Sequence, residues 1–515
     1  MKRILYIITS ILLSASCNWL EITPENAIDE EDLFTTGYGF RNALNGVYLK
    51  IGSRELYGEN LSWGFLSAAA QEYLTDESQQ GSYSAPLNKD AAEFVYNSTL
   101  TQPVIQTIWE TQYSVIANIN KILDHIDVLD ASAFAFGDDE RNLIKAEAYA
   151  LRAMLHFDLL CLYAPAPSTN PTGTYIPYRE KFGPEMGDKL SVDAFIEKCL
   201  NDIAVAEPLL KDFDTEYHPQ AMYAHMAGGS STSMNARYRF NSNMFIDEMG
   251  EFFWFRGWRL NYMALLALKA RICHYSNGTY KAEAKAAAQE IYDTFYKEKA
   301  WVGFTPVENI NATSSSRYFK ISDDVLFGAY YKNLATEYDS ELIGNDNTVK
   351  YPLAGIDNLF LSDVSGNYDD LRYDKLILST NALNKAYYTG KYSVSSESYV
   401  EAVENPMIPL FRFSEVCQIL AEIEAQDGNF TEAVAYLTEV RNARGAFRNI
   451  SVSDYSQFMD ELILEARKEN LCEGRNFYLY KRLNLEKVES SSRPGFYRNM
   501  REGYVLPIPT SESPF

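Results

Sequence analysis

Residues Leu410–Gly445 read LFRFSEVCQILAEIEAQDGNFTEAVAYLTEVRNARG, and the periodicity of this stretch decides the fold class. Phe413, Val416, Cys417, Leu420, Ala421 and Ile423 recur at helical spacing, with Glu415, Gln418, Glu422 and Gln426 on the other side. Asp427-Gly428-Asn429 predicts a turn, after which Phe430, Ala433, Val434, Leu437 and Val440 repeat the pattern behind Thr431 and Glu432. Small residues at Ala421 and Ala433 let the two backbones approach, and Leu420, Phe430, Leu437 and Val440 fill the groove between them.

One such hairpin cannot bury its own apolar stripe, so neighbours must stack against it, as in tetratricopeptide-like repeats. Working outward, comparable helical pairs fall at about 103–163, 191–275 and 262–296, and the pair quoted above extends to about 410–483. The helix from Ser191 carries its cap in that serine, and the pair at 262–296 turns at Asn277-Gly278. An earlier helix begins near Asp32 or Thr36 and turns Phe40, Ala43, Leu44 and Val47 inward, and another is expected over about Leu61–Leu74. Between the helices lie loop insertions at about 75–98, 212–256 and 300–406, too long for ordinary connections. The last contains β-like runs such as Val325–Tyr331. The expected architecture is mostly α: a tetratricopeptide-like helical-hairpin scaffold with long irregular loop insertions and minor β.

With 515 residues, 46% of them hydrophobic, the chain has ample material for a large core. Its formal charge of −24 is spread along the sequence and repels phosphate backbones, which argues against a nucleic-acid partner. Aromatic residues reach 14%, with 37 Tyr, and tyrosine offers a flat apolar face with a polar rim suited to sugars or peptides as well as to cores.

Met1-Lys2-Arg3 and the apolar run Ile4–Leu13 have the form of a secretory signal over residues 1–16, leaving a mature domain of 17–515. Ser14-Ala15-Ser16 lead directly to Cys17, the pattern of a bacterial lipoprotein cleavage site. Acyl chains such as palmitate on Cys17 hold a protein on a membrane without a spanning helix, each buried methylene contributing about 0.8 kcal/mol. The other cysteines, Cys161, Cys199, Cys273, Cys417 and Cys472, fall singly within expected helices and read as buried thiols.

Four motifs in order carry a family resemblance. They are the lipoprotein cysteine with Trp19-Leu20-Glu21-Ile22-Thr23-Pro24, then Ala43-Leu44-Asn45-Gly46-Val47-Tyr48, then the charged segment Glu465–Arg482, then Leu506-Pro507-Ile508-Pro509. Together they resemble the SusD/RagB family of outer-membrane glycan-capturing lipoproteins across nearly the whole mature chain. The resemblance implies a lipid-anchored protein on the cell surface that binds oligosaccharides or polysaccharides and delivers them to a SusC-like TonB-dependent transporter, with no bond made or broken. It also places ligand-binding residues in three loop regions, which here hold Asp76 and Tyr83, then Trp301, then Arg372 and Tyr388. Trp254, in the aromatic end of the 212–256 insertion, is added on its own composition.

No HExxH spacing joins any of the five histidines, and no GxSxG, P-loop or GxGxxG motif is present, so no catalytic residues, metal ligands or cofactor are expected. The segment Asp363–Asp370 has alternating oxygen side chains but reads as a solvated turn. Two other readings stand beside glycan capture: a lipoprotein of the same fold that captures peptides, and a surface glycoside hydrolase with two facing carboxylates.

Overall fold

The computed structural model describes residues 33–75, 85–185, 187–219 and 256–510, apart from 314–315, 343–348, 365–369, 381–385, 395–403 and 493–494, together with Met222 and Phe252. Cys17, Asp76, Tyr83 and Trp254 lie outside the described residues, as does most of the 212–256 insertion.

Helix α1, Gly37–Ile51, starts where the Thr36 hydroxyl accepts from the Gly39 N–H, and it buries Phe40, Leu44, Val47 and Ile51. Helices α2, Thr101–Ile126, and α3, Gly137–Tyr163, form the first long pair. Asp138, Asp139 and Glu140 fill the first turn of α3, where the helix dipole favours acid. From Ala146 onward nearly every side chain of α3 is buried, because α2 packs on one side and α4, Val192–Lys211, on the other. Ser191 caps α4 as expected. Helix α5, Tyr262–Tyr275, is capped by Asn261 and packs against α4 and against α6, Lys281–Glu290, whose chain continues in a wider turn over Ile291–Glu298. Helices α7, Phe413–Gln426, α8, Phe430–Asn442, and α9, Tyr455–Glu469, continue the stack, and α10, Arg475–Arg482, follows. Among the described residues, no helix is long and apolar enough to cross a membrane.

Three expectations change. Leu410–Arg412 end a strand rather than open a helix: β4, Met407–Arg412, pairs antiparallel with β1, Val325–Tyr330, with Gly328 opposite Pro409. A proline there has no N–H to give a helix, so the helix waits until Phe413. The expected helix over Leu61–Leu74 shrinks to Phe65–Ala69 between tight turns, with Gln71 at φ 66°. The 300–406 excursion holds more regular structure than its composition implies, including helices Leu334–Leu342 and Ile356–Val364 and a hairpin of β2, Ile377–Ser379, with β3, Tyr387–Thr389.

The polar side of α7 is also not a solvent face. Gln418, Glu422 and Glu424 are buried, because α5, α6 and α9 close over both flanks of this helix. Its carboxylates are matched across those contacts: Glu415 with Arg271, Glu422 with Arg482 and Glu424 with Lys285. Cys161, Cys199, Cys273, Cys417 and Cys472 are free and buried.

Candidate functional site

The charged segment Glu465–Arg482 finds its explanation in a buried ion lattice. Glu465, Glu469 and Glu473 follow one another at four-residue intervals, so they project to one side of the backbone as α9 ends. Arg372 Nη1 reaches Glu465 at 2.5 Å and Glu469 at 2.8 Å, and its other nitrogens hold Asp370. Arg444 clasps Glu469 through two bonds of 2.8 Å and also reaches Asp324. Arg412 bridges Asp324 and Glu473, and Lys391 completes Glu473 at 2.8 Å. A second branch joins Arg441, Arg448 and Lys468 on Asp363. Burial opposes charging Glu469, but Arg444, Arg372 and Arg412 outweigh it and hold the carboxyl well below its ordinary range. Gly474, at φ 69°, turns the chain directly against Leu61, where a Cβ would collide with the carbonyl oxygen.

Two expectations are corrected here. Arg372 is 3% exposed and spends its guanidinium on three carboxylates, so it is a framework cation rather than a ligand contact. Asp363 and Asp370 are buried ion-pair partners, not ends of a solvated turn.

On this frame the excursion meets the base of the 75–98 insertion. The Leu74 N–H donates to the Pro352 carbonyl at 2.7 Å, Tyr73 bridges Leu353, and the Leu353 N–H donates to the Tyr387 carbonyl at 2.8 Å. The Thr75 N–H donates to the Ser491 carbonyl, so the segment carrying Asp76 and Tyr83 leaves from beside the β2–β3 hairpin. Around that point the half-buried rings of Tyr373 and Tyr387 lie 6.3 Å apart. The Tyr373 hydroxyl donates to Asp357 at 2.7 Å, and Asn358 donates to Glu489 at 3.3 Å. Asp357 and Asn358 are exposed. Hydrogen bonding with Tyr387, burial and Asp357 together push the Tyr373 phenol above its ordinary value. Half-open rings beside exposed amide and carboxylate groups are suited to a ligand with flat C–H faces and an edge of hydroxyls.

Tyr388 is half-buried and, as the next residue along β3, faces away from Tyr387. Burial and the nearby Asp339 raise its phenol pKa. Trp301 is 8% exposed, with its ring against Phe295 and the Lys299 ammonium over it at 5.1 Å, so it offers no open platform. Of the sequence candidates, the structure thus brings the base of the Asp76 and Tyr83 segment and the Tyr388 hairpin together, and it sets Trp301 and Arg372 into the interior. Tyr373, Tyr387, Asp357 and Asn358 were missed. The only signal was the density of Tyr and Asp through 357–388, which composition alone does not separate from core or loop.

Residues 18–230 match a family described as starch-binding associating with outer membrane, and residues 372–504 match the SusD family. A SusD-like protein of Formosa agariphila is 22% identical over 93% of this chain and 90% of its own length. The chain belongs to the SusD/RagB family. Solved members share the fold. A SusD superfamily protein from Bacteroides thetaiotaomicron superposes with a TM-score of 0.66 at 19% identity, covering 93% of this chain and 97% of that one. A SusD-like carbohydrate binding protein from Bacteroides vulgatus gives 0.63 at 17% identity over 93% and 96%. The SusD-family match begins at Arg372 and takes in Arg412, Arg444 and Glu465–Glu473, so it spans most of the ion lattice that braces the tyrosine face.

Proposed function

We propose that this SusD/RagB protein captures oligosaccharides or polysaccharides at the cell surface and hands them to a SusC-like TonB-dependent transporter. The carrying observation is that the chain at Tyr73–Thr75, where the 75–98 insertion begins, is tied through Pro352 and Leu353 to Tyr387 of the Tyr373–Tyr387 face on a braced helical frame. Tyr373 and Tyr387 stack on pyranose C–H faces, while Asp357, Asn358 and Glu489 address hydroxyls. Asp76, Tyr83 and Trp254, which lie outside the described residues, and Tyr388 on the other side of the hairpin are proposed as further ligand contacts. Cys17, lipidated after cleavage at residue 16, anchors the protein to the outer membrane, and labelled palmitate is expected to be lost in Cys17→Ala. The function needs no catalytic residue, cofactor or metal. Among the described residues, no group of three or more His, Cys, Asp or Glu side chains could hold a metal ion.

Affinity electrophoresis against plant, host and microbial polysaccharides tests the reading. Retardation by at least one polysaccharide is expected, weakened several-fold in Tyr387→Ala, in line with the roughly 0.5–1.5 kcal/mol that a ring contact contributes. A folded protein retarded by none of them would overturn glycan capture in favour of peptides.

A further inference from the structure

A second feature lies away from the tyrosine face, between α5, α7, α9 and α10. Two adjoining cavities share His274, Tyr275, Glu422 and Arg482. The outer one, about 380 Å³, includes the Asn277-Gly278 turn, Lys281 and Tyr455, and the inner one, about 70 Å³, runs on to Gln418, Arg475 and Tyr478. The outer volume falls in the range of about 300–1,000 Å³ used by small-molecule sites, and the inner one exceeds a single water's share of about 30 Å³.

The walls are short of acceptors. Gln418 Nε2 and the Tyr478 hydroxyl are buried and have no hydrogen-bond partner among the described residues. His274 Nε2 lies 3.4 Å from Glu422, and burial together with Arg482 lowers its pKa. Both lining carboxylates are already engaged, Glu415 by Arg271 and Glu422 by Arg482. Arg475 meets Glu415 at 3.5 Å, and its guanidinium lies 4.6 Å from the centre of the Tyr478 ring. Three lining arginines face two lining glutamates, and Asp158, bonded by the Tyr57 hydroxyl, acts on Arg475 and Arg271 from just outside the lining. A buried donor without an acceptor has given up water with nothing in exchange, so one anionic oxygen-bearing group would satisfy both donors at once.

We propose that this chamber binds a small carboxylate of up to monosaccharide size, its oxygens accepting from Gln418 Nε2, the Tyr478 hydroxyl and Arg475, its body in the outer cavity. The carboxylate comes either from a free organic acid or from an acidic sugar. The site is separate from the tyrosine face and does not depend on the polysaccharide reading.

Isothermal titration calorimetry of the full mature chain with sodium D-galacturonate, D-galactose and sodium propionate tests it. Saturable binding of galacturonate, with galactose inert, is expected. Propionate binding as well would identify any small carboxylate as the ligand, and propionate failing would identify an acidic sugar. Gln418→Leu and Tyr478→Phe should each weaken binding about tenfold while leaving polysaccharide retardation unchanged. The proposal is overturned if none of the three compounds binds, if galactose binds as tightly as galacturonate, or if both variants bind as the unaltered protein does.

Discussion

The ion lattice and the chamber both set arginines against the same C-terminal helices, yet they are finished differently. In the lattice Asp324, Asp363, Asp370, Glu465, Glu469 and Glu473 each accept from an arginine or lysine. In the chamber Gln418 Nε2 and the Tyr478 hydroxyl are among the lining donors left without a partner by the described residues. A buried charge is tolerable only when paired, so the lattice behaves as a brace; Arg441 Nε and Arg444 Nη1 also lack partners among the described residues, and the chamber differs in that its unanswered donors line a cavity with room for something from outside.

The sharpest way to break that contrast is Arg444→Met. It strips one partner from Asp324 and two hydrogen bonds from Glu469 inside the frame, and a loss of about 3 kcal/mol is expected in denaturant unfolding. A loss below about 1 kcal/mol would mean the lattice is not bracing the fold.

Lys481 probes the same helices by pH. Burial lowers its pKa to about 7, and the Nζ donates to the Cys161 and Tyr504 carbonyls at 2.5 Å. The unfolded chain keeps that proton up to about pH 10.4, so the cost is fully present below 7 and stability rises with pH between those values. Relative to Lys481→Met, the unaltered protein should gain up to about 1.4 kcal/mol per pH unit between pH 8 and 9. Parallel stability curves for the two proteins would refute the buried neutral amine. The smallest effect belongs to the chamber: Gln418→Leu removes a donor with no partner among the described residues and should change stability by less than about 1 kcal/mol. A loss as large as that of Arg444→Met would place Gln418 in the brace.

What was legible in the sequence follows the range of the forces involved. Ser191 as a cap, a helix start near Asp32 or Thr36, the inward set Phe40, Leu44 and Val47, and the Gly428 turn at φ 83° are local, set by neighbours within one or two turns of chain. The three-glutamate spacing was visible too, but not what it held: Arg372 reaches Glu465 across 93 residues, so its reading as a ligand contact gave way to a buried pair. Trp301 failed for a related reason, since a ring in a loop is open or packed according to what lies over it.

By itself the sequence determined the helices, their apolar faces and the family signature, because periodicity and capping act through adjacent turns. Only the tertiary structure decided that the polar side of α7 is interior, that Tyr373 stands beside Tyr387, and that Gln418 and Tyr478 meet at one cavity. Burial and charge pairing depend on which distant segments pack together, and no single stretch of chain specifies that.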